Sequence, residues 1–180
     1  MNRDAIVKGL VKPIRLNGEV AYVPLTQGFE AVIDASDAAL VEGFNWYARV
    51  DGNTVYALRK DRTGGHCKTI LMHRLILGES CTFAVDHADG NGLNNTRRNL
   101  RYATTQQNQQ NQRKSKGRSS KYKGVTLHKP TGKWLARIRV DGHLHYIGQY
   151  DDERAAALAY NARAKSICGP FARLNEFVVP

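Results

Sequence analysis

The sequence lacks the usual features of a secreted or membrane-spanning protein. It has three cysteines in 180 residues, Cys67, Cys81 and Cys168, and none of them forms a CxxC pair. An odd number of widely spaced cysteines argues against a disulfide framework and against a four-thiolate zinc site. No apolar run approaches the roughly 20 residues of a membrane span, and the N-terminal stretch lacks the apolar segment of a secretory signal. We therefore expect an intracellular protein without a membrane partner.

Acidic residues are nearly absent from one part of the chain. Residues 101–150 hold eleven lysines and arginines and one acid, Asp141, so this window carries a charge of +10 (eleven minus one). The whole chain carries +11, which leaves the remaining residues almost neutral. A positive field concentrated in one window predicts a polyanionic partner. Because the window contains no amphipathic apolar helix, nucleic acid is favoured over a membrane surface.

Short runs of alternating apolar and polar residues predict strands at both ends of the chain. The runs "EVAYVPL", "EAVID", "NWYARV" and "TVYALRK" predict a small N-terminal antiparallel β region, with one short helix that Ser36 caps and Gly43 ends. Downstream, "YKGVTLH", "KWLARIRV" and "HLHYIGQY" predict a three-stranded antiparallel sheet, and the alanine-rich segment after it predicts one packed helix. The expected fold class is α+β.

The most unusual stretch is "VDHADGNGLNNTRRNL", residues 85–100, where an acid stands beside an imidazole and a turn crowded with asparagine follows. Aspartate and asparagine are common in turns, so most of these residues are expected only to shape the loop, and Asn95 to hold it. Thr104 followed by Gln107 predicts a capping box that starts a helix near residue 105. A hairpin folded onto that helix can bring polar side chains from all three elements together.

The segments "MHRLILG", "VDHADGNGLNNTRRNLRYAT" and "QQNQQN" resemble the ββα-metal nucleases of the H-N-H type, in particular the homing endonucleases of phages and mobile introns. The resemblance implies a central ββα-metal motif in which Asp86 and Asn108 bind a divalent metal ion. It also implies that His87 is the general base and that Asn99 orients its ring. Many relatives have a second metal-site histidine where this chain has Asn108. The implied cofactor is Mg²⁺, with Mn²⁺ as the alternative, and no organic cofactor.

Elementary chemistry is consistent with these roles. A hard cation such as Mg²⁺ prefers oxygen ligands and retains several waters, so it needs few protein ligands. An imidazole with a pKa near 6.5 can accept a proton from an attacking water at neutral pH. His73 fits the family's "HRL" stretch, but we expect it to pack or to make a structural hydrogen bond. A structural zinc site is a further alternative, and it would use His66, Cys67, His73 and Cys81.

The C-terminal segment resembles the Apetala/ethylene-response-factor DNA-binding domain. The matching features are the opening Tyr-basic-Gly-Val, "GKW", the "IGQYD" turn, the "AALAY" helix and the closing "LN". Alternation along "KWLARIRV" places Trp134, Ala136, Ile138 and Val140 on one face and the arginines on the other. The resemblance implies DNA contacts from the exposed sheet face by Lys123, Thr126, His128, Arg137, Arg139, Tyr146 and Gln149.

The sequence thus predicts four parts, which are an N-terminal β-rich accessory region (1–66), an HNH nuclease motif (67–112), a basic linker (113–121) and an ERF-like DNA-binding domain (122–180). The predicted function is a metal-dependent endonuclease that hydrolyses phosphodiester bonds in double-stranded DNA inside a bacterial or phage-infected cell. One such site per monomer predicts nicking, and the choice between monomer and homodimer stays open. The alternative is a non-catalytic DNA-binding regulator that uses a degenerate nuclease fold.

Overall fold

The structure is a computed structural model that describes residues 11–78, 80, 82–114, 117 and 119–177. Its fold class is α+β, with several small antiparallel sheets and a long helix near the C-terminus. The chain divides into two compact units, Met1–Tyr102 and Ala103–Pro180. The sequence analysis placed domain boundaries after residues 66, 112 and 121, and these finer boundaries stay a prediction. Across the described residues, no helix combines the length and the apolar character needed to cross a membrane.

The first unit is built mainly from short strands. They are β1 (Arg15–Asn17), β2 (Val20–Pro24), β3 (Glu30–Asp34), β4 (Tyr47–Asp51), β5 (Thr54–Asp61), β6 (Lys68–Leu71), β7 (Ala84–His87) and β8 (Leu100–Ala103), the last of which ends at the unit boundary. Two helices, α1 (Ala38–Val41) and α2 (Met72–Leu77), join them. The sheet orders are β1-β2-β3, β4-β5-β6 and β7-β8, and the first two sheets are antiparallel.

Alternation explains how these strands form one core. On β2 and β3 every second side chain is buried. The antiparallel pairing of these two strands sets Ala21 opposite Ile33 and Val23 opposite Ala31. These residues pack in one apolar cluster with Trp46 of the β3–β4 connection and with residues of β4, β5 and α2. The strands predicted over residues 19–60 are therefore confirmed, because the apolar face of each strand has a partner to bury against.

The predicted cap of the short helix was wrong. Ser36 lies inside a 3₁₀ turn, Ala35–Asp37, and α1 begins after that turn without a side-chain cap. Asp37 is buried, and its carboxylate accepts hydrogen bonds from Arg97 Nε at 2.9 Å and from Arg97 Nη2 at 2.8 Å. A buried carboxylate needs a charged partner. The position of Asp37 therefore follows from its ion pair with the distant Arg97 and not from the capping pattern around Ser36.

The second unit contains α3 (Thr105–Asn111), β9 (Val125–His128), β10 (Lys133–Val140), β11 (His143–Tyr150) and α4 (Glu153–Cys168). Its antiparallel sheet has the order β11-β10-β9, which confirms the predicted three strands and helix. The capping box of α3 is also confirmed. Thr104 Oγ1 accepts from the Gln107 amide at 3.2 Å, and Gln107 Oε1 accepts from the Thr104 amide at 2.8 Å.

Helix α4 covers one face of this sheet through small side chains. Ala156 and Ala157 lie in a cluster with Ala136 of β10, and Ala164 lies in a cluster with Ile138. The opposite side chains of β10, including Arg137 and Arg139, point away from α4, as the alternation predicted. We call this side of the sheet the β9–β11 face.

Part of the predicted basic linker has a fixed partner. Lys114 Nζ donates to the carbonyl oxygen of Tyr122 at 2.6 Å. The prediction of a flexible linker mainly concerned residues that lie outside the described part of the chain, namely Ser115, Lys116 and Arg118.

The pairing of Asp37 with Arg97 gives a stability prediction. Arg97→Ala should lower the free energy of unfolding by about 1–3 kcal/mol, because it leaves a buried carboxylate without its partner. Arg98→Ala is the matched control, since Arg98 is exposed and adjacent, and it should change stability by less than about 0.5 kcal/mol. Urea unfolding of both variants measures the difference, and equal effects would show that the ion pair does not support the fold.

Candidate active site

The asparagine-rich segment forms a hairpin loop between β7 and β8. Asp86 and His87, the last two residues of β7, are 3% and 5% exposed. Ala88 donates its amide hydrogen to the Asn99 carbonyl at 2.9 Å, so the loop closes immediately after His87. An acid and an imidazole that are consecutive in the sequence are therefore both buried at the start of a tightly closed loop.

Strands of the N-terminal region hold this loop in place. The Val32 amide of β3 donates to the Leu93 carbonyl at 2.8 Å, and the Asn95 amide donates to the Val32 carbonyl at 2.7 Å. Gly92 donates its amide to Thr54 Oγ1 of β5 at 3.2 Å. A Cβ atom on Gly92 would lie 2.5 Å from the Val55 carbonyl oxygen, so only glycine permits this close approach. The N-terminal region is therefore part of the structural support of the site.

The loop also satisfies its own polar groups through Asp89. The Asp89 carboxylate accepts hydrogen bonds from the Asn91 amide at 2.7 Å, from Asn94 Nδ2 at 2.8 Å and from Asn99 Nδ2 at 3.0 Å. Burial raises the pKa of Asp89, but the hydrogen bonds from these three asparagines outweigh burial and hold that pKa below its ordinary value. The ionised carboxylate is thus the centre of a network that fixes the loop.

The His87 ring is held by Asn95. The two residues meet at 3.2 Å between His87 Nε2 and Asn95 Oδ1. Asn95 is fully buried, and its Nδ2 donates to the Leu93 carbonyl, which fixes the orientation of the amide. An amide oxygen only accepts, so His87 Nε2 carries the proton and Nδ1 carries the lone pair. Burial lowers the pKa of His87, partly offset by the Asn95 hydrogen bond, so the ring is neutral at neutral pH and can accept a proton.

The structure corrects the predicted orienting contact of Asn99. Its Oδ1 accepts from the Asp89 amide at 3.0 Å, and its Nδ2 donates to Asp89 Oδ1 and to the Asn94 carbonyl. Asn99 therefore holds the loop, whereas Asn95, expected only to hold the loop, also contacts the His87 ring. The reason is geometric, since Asn99 follows the loop directly and its amide faces the loop backbone.

Two aromatic rings from other elements enclose His87. His73 of α2 lies edge-on to His87 with ring centroids 5.0 Å apart, and Tyr56 of β5 lies 5.8 Å from His87. His73 is buried, its Nδ1 has no hydrogen-bond partner, and burial lowers its pKa to about 3. His73 is thus a neutral packing residue, in line with the expectation that it packs. Burial also raises the pKa of Tyr56, so its hydroxyl stays protonated.

Asp86 forms an ion pair with Arg101 of β8. Its Oδ2 lies 2.7 Å from Arg101 Nη2 and 2.8 Å from Arg101 Nε, and the Asp86 side chain is 4% exposed. A carboxylate oxygen is a donor type that fits a hard divalent cation. Within the described part of the chain, no group of three or more His, Cys, Asp or Glu side chains could hold a metal ion. Any ion bound by Asp86 would therefore depend on amide, water or phosphate oxygens as well.

The other predicted metal ligand lies on a different part of the chain. Asn108 is on α3, which belongs to the second unit, whereas Asp86 belongs to the first. The pairing of these two residues on one metal ion stays a prediction. The alternative zinc site included Cys81, which lies outside the described residues, and His66 and Cys67, which are exposed.

The β9–β11 face brings together most of the predicted DNA contacts. Pairing of β10 with β11 places Arg137 opposite Tyr146, and a β-bulge precedes Arg137. Tyr146 is 62% exposed and Arg139 is also exposed, so this face is accessible. The predicted residues whose strand positions place them on this face are Thr126, His128, Arg137, Arg139, Tyr146 and Gln149.

Lys123 is the exception among the predicted DNA contacts. Its Nζ donates to the carbonyl oxygens of Gln110 and Gln112 at the C-terminal end of α3, at 2.5 and 2.7 Å. Burial lowers the pKa of Lys123 to about 8. Free carbonyls at a helix C-terminus attract a cation. The structure therefore places this charge on α3 and corrects its assignment to the sheet face.

Three residues that surround the candidate site carry no local signal in the sequence. Tyr56 fits an ordinary strand pattern, and Arg101 fits the alternation of β8, so nothing local distinguishes either of them. Asn95 is one of several turn asparagines. Contacts between distant segments select these residues, and an alignment of covarying positions is the signal that could have identified them.

Comparison with known proteins supports a nuclease relationship for most of the chain. An uncharacterized HNH endonuclease of Acanthamoeba polyphaga mimivirus is 33% identical over 151 residues, which is 83% of this chain and 76% of that protein. Protein 3.8 of Escherichia phage T7 is 32% identical over 93 residues, or 52% of this chain and 76% of that protein. No family model matches the sequence.

Plant proteins match a smaller part of the chain. Dehydration-responsive element-binding protein 2D of Arabidopsis thaliana is 44% identical over 59 residues, 32% of this chain and 28% of that protein. APETALA2-like protein 2 of Oryza sativa subsp. indica is 40% identical over 60 residues, 33% of this chain and 14% of that protein. The similarity to these proteins is therefore confined to about a third of the chain.

The Asp89 network predicts a pH-dependent part of stability. Asp89→Asn should lower the free energy of unfolding at pH 7 by about 1–3 kcal/mol, because the NH₂ group that replaces one carboxylate oxygen cannot accept the hydrogen bond which that oxygen accepts from Asn94 or Asn99. Because the folded-state pKa of Asp89 is lowered, the wild-type advantage should be present above about pH 4 and should disappear as the pH falls through that folded pKa. Urea unfolding from pH 7 to pH 2 measures this gap.

Asp51→Asn is the control for this experiment, because Asp51 is an exposed acid of the same unit. It should change stability at pH 7 by less than about 0.5 kcal/mol. A gap between wild type and Asp89→Asn that stays constant down to pH 2 would contradict the prediction.

Proposed function

Because the chain belongs to the HNH endonuclease family, we propose that it is a metal-dependent endonuclease that hydrolyses a phosphodiester bond in double-stranded DNA. The observation that carries this proposal is the buried neutral imidazole of His87, which follows the buried Asp86 in the chain and is held by Asn95. The first unit supplies the proposed base and Asp86, and the β9–β11 face of the second unit supplies DNA binding.

His87 is the proposed general base. Because its Nε2 donates to Asn95, Nδ1 takes the proton from the attacking water as the new P–O bond forms. Burial keeps the ring neutral before the reaction, so the base is in its active form at neutral pH. His73 and Tyr56 restrict the movement of the ring and exclude water from its sides.

Asp86 and Asn108 are the proposed ligands of the metal ion, with Mg²⁺ as the ion that their oxygen donors suit best and Mn²⁺ as the alternative. When bound, such an ion neutralises charge on the scissile phosphate and on the departing 3′ oxygen. Arg101 holds the Asp86 carboxylate in one orientation through Oδ2. Asn99 supports the site indirectly, by fixing the loop that carries Asn95.

The β9–β11 face is proposed to bind the duplex. An exposed antiparallel sheet with arginines can enter the major groove, where arginine binds guanine edges or phosphates. The similarity to a dehydration-responsive element-binding protein supports this role. The proposed contacts are Thr126, His128, Arg137, Arg139, Tyr146 and Gln149.

A single site of this kind cuts one strand in each encounter, so a monomer is expected to nick and a dimer to cut both strands. The second candidate function is a DNA-binding regulator without nuclease activity. One observation favours it, since the Asp86 carboxylate already has an arginine partner. A plasmid nicking assay with Mg²⁺ and with chelator separates the two functions.

The assignment of the base is tested by His87→Ala. Without Nδ1 to accept the proton, Mg²⁺-dependent nicking should fall by at least about 10²-fold, while duplex affinity stays within about twofold of wild type. Nicking of supercoiled plasmid and fluorescence anisotropy with chelator measure the two quantities. His66→Ala is the matched control, because His66 is an exposed histidine of the same unit, and it should nick normally. Nicking by His87→Ala at the wild-type rate would rule out the proposed base.

The assignment of the DNA-binding face is tested by Arg137→Ala combined with Arg139→Ala. Each phosphate that the variant no longer neutralises should reduce the slope of log K against log salt by about 0.9, so this pair should reduce it by up to about 1.8. Arg163→Ala with Lys165→Ala removes two exposed charges from α4, on the other side of the sheet, and is the matched control. Equal reductions in the two double variants would indicate a nonspecific charge effect.

A further inference from the structure

The sheet β4-β5-β6 has two chemically different faces. Ala48, Val55, Ala57 and Ile70 belong to the apolar core of the first unit or pack against it. The strand register places Tyr47, Arg49, Tyr56, Leu58 and Lys60 together on the other side. We call this side, together with Arg62 directly after β5, the β4–β5 face.

The β4–β5 face is basic and accessible at one end. Arg49, Lys60 and Arg62 are exposed, and Tyr47 is 44% exposed. Tyr47, Leu58, Lys60 and Arg62 line a shallow depression. Among the described residues of this face, three positive charges stand against one acid, Asp51, which lies 3.8 Å from Arg49. An exposed aromatic ring among positive charges is a surface that fits nucleic acid.

The same face leads directly to the candidate active site. Tyr56 contacts His87 and His73, with ring centroids 5.8 and 5.7 Å apart. Lys60 lies four residues further along β5, and a strand rises about 3.4 Å per residue, so the backbones of Tyr56 and Lys60 are about 14 Å apart. A DNA strand has one phosphate per roughly 3.4 Å of helix axis, so this distance corresponds to about four base pairs.

We infer that the β4–β5 face is a second DNA-binding surface, which holds the phosphate backbone of the duplex about three to five base pairs from the bond that is cut. Lys60 and Arg62 neutralise phosphates, and Tyr47 packs against the sugar-phosphate chain. This inference rests on the proposed function, because the site that the face borders is taken to act on DNA. The N-terminal region then has two tasks, which are to support the active-site loop and to bind DNA beside it.

The test uses the full chain with Lys60→Gln and Arg62→Gln combined. Duplex affinity is measured by fluorescence anisotropy over a series of salt concentrations, with chelator present so that no DNA is cut. Removal of two charges that neutralise phosphates should reduce the slope of log K against log salt by about 1.8. Lys12→Gln with Arg15→Gln is the matched control, because it removes two exposed charges of the first unit outside this sheet. The control should change the slope by less than half of that amount.

A charge-preserving variant separates binding from folding. Lys60→Arg with Arg62→Lys retains both charges and should retain the wild-type slope, and urea unfolding midpoints should agree among all these variants. Hydroxyl-radical footprinting of the wild type should show protection three to five base pairs from the nick, and this protection should be absent with the Gln variant. A wild-type slope in the Gln variant, or a reduction equal to that of the control, would overturn the inference.

The two proposals fail separately. The affinity series contains chelator and does not depend on cutting. A reduced slope in a protein that never nicks DNA would support the β4–β5 face and refute the nuclease proposal. An unchanged slope in the Gln variant of a protein that nicks normally would support the nuclease proposal and refute the β4–β5 face.

Discussion

A buried polar group without a partner costs free energy, and this cost determines how Asn95 and the loop around His87 are arranged. Asn95 is fully buried, so both its backbone and its side chain need hydrogen bonds, and they find them in Val32, Leu93 and His87. Without β3 the Asn95 amide would have no acceptor, and the imidazole would be without the hydrogen bond that selects its tautomer. The orientation of the His87 ring therefore depends on a strand more than fifty residues earlier in the chain.

Most elements of the second unit could be predicted from the sequence almost to the residue, although β9 begins three residues after the start of its predicted run. Strands β10 and β11 have the predicted bounds, and α3 begins at its predicted capping box. These elements follow from local rules, since alternation and capping involve neighbouring residues. The contacts of the site involve distant residues instead. The sequence predicted that His87 and Asp86 stand side by side, but not that Tyr56, Arg101 and Asn95 contact them.

The errors of prediction have a common physical origin. In each case a polar side chain could bond to several partners, and the sequence does not show which of them it bonds to. Asn99 could bond the His87 ring or the loop, and it bonds the loop. Lys123 could bind DNA or helix carbonyls, and it binds the carbonyls of α3. Lys114 likewise donates to a backbone carbonyl. Part of the positive charge of residues 101–150 therefore stabilises the fold. The net charge of this window is larger than the charge that remains available to bind a polyanion.

Helix α4 packs against its sheet through alanines. This close packing also affects the curvature of the strands, and so the shape of the opposite side of the sheet. Ala156, Ala157 and Ala164 have almost no exposed surface, and a Cβ atom on Gly124 would lie 2.0 Å from the Tyr160 ring. A larger side chain at this interface would push the helix outward and change the curvature of the three strands. The positions of Arg137 and Tyr146, two of the proposed DNA contacts, can thus be altered by residues on the opposite side of the sheet, which gives sequence drift at this buried interface a route to reshape the exposed one.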